Sequence, residues 1–87
     1  MTHSTLARFW RHYDALPKDV QKVADQQFER LKADSRHPSL HFKRVGKRKE
    51  LWSVRVGMGY RALARERSDG VVWFWIGTHA EYDLLIS

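Results

Sequence analysis

Two periods of apolar and polar residues divide this chain. From Leu51 to Tyr82, LWSVRVGMGYRALARERSDGVVWFWIGTHAEY, apolar residues mostly alternate in three short segments. The breaks fall at Gly57-Met58-Gly59 and Ser68-Asp69-Gly70, where glycine tolerates the positive φ of a tight turn. The pattern predicts a β-meander with strands at Leu51–Val56, Tyr60–Arg67 and Val71–Ile76, preceded by a strand over Leu40–Val45 that leads through Gly46-Lys47-Arg48-Lys49. On Leu51–Val56 the side chains of Trp52, Val54 and Val56 point one way and those of Leu51, Ser53 and Arg55 the other. On Tyr60–Arg67, Arg61, Leu63 and Arg65 share a half-exposed face. VVWFWI is apolar on both sides and reads as a central strand, with Trp73 and Trp75 on one face, for core packing or cover by a partner ahead of stacking on nucleobases.

Ahead of the strands the period lengthens to that of a helix. Ser4 or Thr5 is placed to cap a first helix whose stripe is Leu6, Phe9, Trp10 and Tyr13. Leu16-Pro17 interrupts it, and a second helix follows, with Asp19 in its first turn and Val20, Val23, Ala24, Phe28 and Leu31 as its buried stripe. Asp34 to Ser39 is a polar connector. At the other end, Thr78-His79-Ala80-Glu81 matches the capping box, which starts a short last helix over His79 to Ile86. The expected architecture is α+β: an N-terminal αα-hairpin on a twisted antiparallel sheet of about four strands, with a short C-terminal helix, all in one domain over residues 1–87.

Charge changes this picture by locating a surface. Residues 1–40 carry seven basic and five acidic side chains, residues 41–67 nine and two, and residues 68–87 none and three, so the formal net charge of +6 is concentrated on the first half of the sheet. Such a patch attracts polyanions, nucleic acid or an acidic protein. There is no cysteine, so disulfides and thiolate metal sites are excluded. No apolar run approaches the roughly 20 residues that span a bilayer, and no signal-peptide pattern opens the chain, so a cytoplasmic location is expected.

The sequence holds no P-loop, dinucleotide fingerprint, HExxH or zinc-finger spacing, and no cofactor or metal is expected. What remains is metal-free phosphodiester chemistry, which needs a cation for the charge building on phosphorus and groups that move protons. Arg61 suits the first role because guanidinium grips two phosphate oxygens and stays charged. His79 suits acid or base, and Tyr82 suits stacking on a base or donating a proton. The structural alternative is that Arg61 pairs with Glu81 or Glu50 and that His79 is only a first-turn residue.

The order of elements, together with Arg55…Gly59-Tyr60-Arg61 and Ile76-Gly77-Thr78-His79-Ala80-Glu81-Tyr82, resembles the RelE/ParE superfamily of bacterial toxin–antitoxin toxins over nearly the whole chain. The resemblance implies a toxin with a cognate antitoxin. In the RelE branch such toxins act as ribosome-dependent messenger RNA endonucleases that use the 2′-hydroxyl as nucleophile; in the ParE branch they inhibit DNA gyrase. By the resemblance Arg61 stabilises the transition state, with Arg55 beside it, and His79 and Tyr82 supply proton transfer and base stacking. Lys43, Arg44, Lys47, Arg48, Lys49 and Arg65 would contact RNA phosphates. Trp52 and Val54 stand on a strand where RelE toxins carry lysines, and for the general base the sequence offers only Glu50 and His41.

Overall fold

The computed structural model describes residues 1–47 and 50–87. In chain order it contains β1 (Thr2–Thr5), α1 (Ala7–Asp14), α2 (Lys18–Ala33), a 3-10 turn at Pro38–Leu40, β2 (Lys43–Val45), β3 (Leu51–Val56), β4 (Tyr60–Arg67), β5 (Gly70–Thr78) and α3 (His79–Ile86). The strands form one sheet in the order β1-β5-β4-β3-β2, antiparallel except for β1, which runs parallel to β5. The expected α+β architecture is present with five strands instead of about four.

The extra strand is β1. Thr2 to Thr5 pair with Gly70 to Trp73, and a side chain at Gly70 would collide with the backbone of Thr2. The strand displaces the expected helix cap: Ser4 and Thr5 belong to β1, and Thr5 Oγ1 instead accepts a hydrogen bond from Trp10 Nε1 at 3.0 Å. Helix α1 therefore starts from Leu6 without a side-chain cap. Its expected stripe is only partly buried, since Phe9 is enclosed while Leu6 and Trp10 stay 37% and 47% exposed. The strand expected over Leu40–Val45 is also shorter, because Leu40 lies in the 3-10 turn and His41 takes the left-handed conformation at φ 45°.

Helix α2 covers one face of the sheet. Ala24, Leu31 and Leu40 meet Val54, Val56, Ala62, Ala64, Val71, Trp73 and Ile76 there, with Phe9 entering from α1 and Val20, Val23, Phe28 and Trp52 at the margin. The alanines of β4 leave room for the ring of Trp73, which packs edge-on against Phe28 at 5.4 Å between centroids. One polar residue that the apolar stripe passes over lies in this layer: buried Gln27 donates from Nε2 to the carbonyls of Arg55 and Ser39, at 2.9 and 3.2 Å. It satisfies acceptors that would otherwise be costly to enclose.

The second departure is a β-bulge. Ala62 pairs with Ile76 and Leu63 with Trp75, but Ala64 pairs with Trp73, so Phe74 is an extra residue in β5. An inserted residue reverses the alternation on its strand. Trp73 therefore joins the α2 layer, whereas Trp75 falls on the opposite face beside Leu63, and the two tryptophans do not share a face. On that opposite face α3 crosses the sheet, its capping box complete as expected: Thr78 Oγ1 accepts from Glu81 N–H at 3.2 Å, and the Glu81 carboxylate accepts from Thr78 N–H at 3.1 Å. Among the described residues no helix is long and apolar enough to cross a membrane.

Candidate functional site

The α3 face of the sheet collects the residues singled out for chemistry. Strand alternation puts Arg55 and Ser53 of β3 on this face, and the register places Arg55 directly opposite Arg61 and Ser53 opposite Leu63. Arg61 is in turn opposite Gly77, and Tyr60 opposite Thr78, so the start of α3 lies beside the arginine pair. A hydrogen bond from His79 N–H to the Gly59 carbonyl, 2.8 Å long, fixes that junction. Around the Tyr82 ring the cluster closes: the Arg61 guanidinium carbon is 5.5 Å from its centroid and the His79 ring 5.6 Å, edge-on. Arg55, Arg61, His79 and Tyr82 are thus brought together.

Their electrostatics are unusual for a structural cluster. Like charges directly opposite on neighbouring strands repel, yet among the described residues neither Arg55 nor Arg61 makes an ion pair. Both carboxylates that could have neutralised Arg61 are engaged elsewhere. Glu81 holds the capping box, which keeps its carboxyl below the ordinary range, and Glu50 binds Arg65 at 3.1 Å. Arg55 is steadied by one bond from its Nε to the Gly57 carbonyl, at 3.1 Å. Arg61 Nε and Nη1 are buried without any partner. Buried N–H donors with no acceptor are costly, and here two belong to one cation facing the positive end of a helix. With Nε and Nη1 closed off, Nη2 is the guanidinium nitrogen left to meet an anion from solvent, and a small shift of the Tyr82 ring would bring the other two into reach.

The proton-transfer candidates divide. His79 Nδ1 lies 3.1 Å from Asp83 Oδ2, one helical turn on, and the His79 side chain is half exposed. With the carboxylate accepting, the hydrogen sits on Nδ1 and Nε2 is left free to take a proton. Asp83 escaped the sequence reading, although its i, i+4 spacing from His79 is the signal that finds it. Tyr82 is only 4% exposed, and its hydroxyl donates to Ser53 Oγ at 3.2 Å. In this conformation its ring supports Arg61 and is not open to a base. The two weak candidates for a general base lie elsewhere. His41 borders a cavity with Phe42 and Trp52, on the α2 face, and Glu50 sits next to Leu51, which pairs with Arg65. Arg65 lies four positions along β4 from Arg61, about 13 Å at the rise of a strand.

The basic residues also divide. Lys43 pairs with Ser53 and shares the face of the arginine pair. Arg44 falls on the other face, bound to Glu66 at 2.7 Å and lying 5.2 Å from the Trp52 ring. Lys47 neighbours Leu85, Ile86 and Ser87 at the far end of α3. Arg48 and Lys49 lie outside the described residues. Among the described residues no cluster of three His, Asp or Glu side chains is placed to hold a metal ion.

A family model described as a ParE-like toxin domain matches residues 18–83. Among solved structures, the chain is similar to one from a RelB–RelE antitoxin–toxin complex of Methanococcus jannaschii, with a TM-score of 0.74 at 14% identity over 97% of this chain and 99% of that one. It is also similar to one from the RelBE2 toxin–antitoxin complex of Mycobacterium tuberculosis, with a TM-score of 0.66 at 24% identity over 91% of each chain. No curated protein sequence matches.

Proposed function

Because this chain belongs to the family of ParE-like toxin domains, we propose that it is the toxin of a type II toxin–antitoxin pair, and that it cuts messenger RNA at the ribosome without a metal. The observation that carries the reading is the half-buried guanidinium of Arg61, with Nε and Nη1 unpartnered, opposite the unneutralised Arg55. Two fork-shaped donors at a helix N-terminus suit a phosphodiester, whose oxygens gain charge as phosphorus becomes five-coordinate. In the step proposed, the 2′-oxygen of a ribose attacks the adjacent phosphorus while its proton passes to His79 Nε2. The bond to the 5′-oxygen breaks, and that oxygen takes up a proton from water, leaving a 2′,3′-cyclic phosphate and a 5′-hydroxyl; His79 then returns its proton to solvent. Asp83, 3.1 Å from Nδ1, orients the imidazole. Arg61 and Arg55 hold the phosphoryl oxygens throughout.

A cognate antitoxin belongs to the same proposal, since both similar structures come from toxin–antitoxin complexes. Leu84 and Leu85 of α3, both exposed, add apolar surface for a partner. One observation favours a second reading, a toxin that inhibits DNA gyrase by binding alone: Tyr82 is enclosed and bonded to Ser53, so the base-stacking role expected of it requires α3 to shift.

Mapping messenger RNA 5′ ends by primer extension after induction separates the two. New ends inside coding regions that depend on translation and vanish in Arg61→Ala are the expected result. Growth arrest with DNA-damage signalling and no new RNA ends would replace the nuclease by the gyrase inhibitor.

A further inference from the structure

Beside the arginine cluster, on the same face of the sheet, a depression of about 350 Å³ opens between α1 and α3. Leu63, Phe74 and Trp75 line it from the sheet, and Arg8, His12 and Arg65 supply its polar groups; no carboxylate belongs to its lining. The bulge in β5 creates this composition. Without the extra residue, Trp75 would follow Trp73 into the α2 layer; with it, Phe74 and Trp75, adjacent in sequence, both border the same depression. Gly77 allows the arrangement, since any side chain there would collide with the Trp75 indole. Arg8 and Arg65 place their guanidinium carbons 5.1 and 5.9 Å from the Phe74 ring, and the His12 ring is 6.3 Å from Trp75.

An aromatic floor with a cationic rim is what a nucleotide requires, because every base has a stacking face and every phosphate a charge. We propose that this depression is a second nucleotide subsite, which binds a nucleotide of single-stranded RNA flanking the one held by Arg55 and Arg61. The base stacks on the Trp75 indole, because Arg8 and Arg65 already lie over the Phe74 ring, which holds them in place; Arg8 takes the phosphate, and Arg65 shares its charge with Glu50 and plays the lesser part. Arg61, Leu63 and Arg65 alternate along the same face of β4, so a single strand following it passes from one subsite to the other within about 13 Å. An acidic protein segment would use the rim but not the aromatic floor. The proposal rests on the reading of this chain as an RNA-binding toxin.

The test is fluorescence anisotropy of a labelled 2′-O-methyl hexaribonucleotide, which lacks the attacking hydroxyl and so cannot be cut, against the full chain, Arg8→Glu, Trp75→Leu and Arg61→Ala, each checked by thermal melting. Arg8→Glu is expected to weaken binding about tenfold and to lower the salt slope by about one, and Trp75→Leu to weaken it at least about fivefold. Should Trp75→Leu fail to fold, the indole N–H resonance of Trp75 in the unaltered chain must shift on titration with adenosine 5′-monophosphate. Binding that falls in Arg61→Ala but is unchanged in Arg8→Glu, with no shift of Trp75, overturns the second subsite and leaves the nuclease standing. An unaltered chain with no affinity for the oligonucleotide overturns the subsite, while the nuclease is judged separately by the translation-dependent messenger RNA ends. Loss of a protein partner by Arg8→Glu, with RNA affinity intact, reassigns the depression to that partner and also overturns the subsite.

Discussion

The two faces of this sheet are built on opposite terms. Toward α2 the polar groups identified have partners: Trp73 Nε1 donates to His3 at 3.1 Å, Trp52 Nε1 to Glu66 at 3.0 Å, and Gln27 to two carbonyls. The side chains between them are apolar and enclosed. Toward α3 only a narrow strip is covered, Leu63 and the Ser53–Tyr82 contact, and around it stand Arg55, Arg61, Arg65 and Lys43. One face carries the stability of the fold. The other retains cations of which Arg65 is paired with Glu50 while Arg55 and Arg61, among the described residues, are not, as expected where selection acts on binding more than on stability.

The contrast can be broken most severely from the dry face. Trp73→Ala removes the largest fully buried side chain and is expected to cost about 3–5 kcal/mol by urea denaturation, much of what so small a domain has. A loss under about 1 kcal/mol would mean that the α2 layer is not the stabilising one.

Arg61→Ala should behave in the reverse manner. Cleavage is expected to fall about 10²- to 10³-fold, the effect of removing one preorganised donor, while the melting temperature stays unchanged or rises. The rise follows from relieving two unpartnered buried donors and the repulsion from Arg55. A variant clearly less stable than the parent would show that the guanidinium is structural.

A smaller effect sharpens the junction between the faces. Thr78→Ala deletes the helix cap and is expected to cost about 1 kcal/mol, loosening His79 and Tyr82 together, seen as faster amide exchange in α3. The same cap depends on acid. Because the folded state holds the Glu81 carboxyl below its ordinary value of 4.5, its contribution is present above that value and is lost as pH falls through the lower one. Amide protection of α3 should therefore fade in acid before that of α2 does.

The smallest effect lies at the outer rim of the dry face. Tyr13 donates to Asp25 at 2.7 Å, and the bond to a carboxylate raises its phenol from 10.0 to about 12. A raised folded-state value gives stability that is complete below pH 10.0 and lost as pH climbs toward about 12. Tyr13→Phe is expected to cost a few tenths of a kcal/mol at pH 8, since the pair is largely solvated, and to match the parent near pH 12. A difference that persists there would place the effect in packing instead of ionisation.

Sequence by itself determined the elements whose signals are local. The period of α2 outlines that helix, the two glycine-bearing turns bound the β3–β4–β5 meander, and Thr78 with Glu81 announces α3 at its first residue. Alternation alone also put Arg55 away from Trp52 and Val54 and grouped Arg61 with Leu63 and Arg65, whereas the register of β3 on β4 joined the two arginines. Only the tertiary structure decided the rest. β1 is four polar-leaning residues that become a strand by pairing with β5, 68 positions on, and no local pattern encodes so distant a partner. The bulge at Phe74 is a mismatch between two strands and exists only once both are aligned, yet it decides that Trp75 leaves the core for the α3 face. Gln27 reads as an ordinary solvent-side residue until the backbone of β3 supplies a carbonyl for it. Tyr82 reads as free at a helix start until Ser53 meets its hydroxyl. In each case the deciding term is a pairing between remote segments, which periodicity along a single segment does not contain.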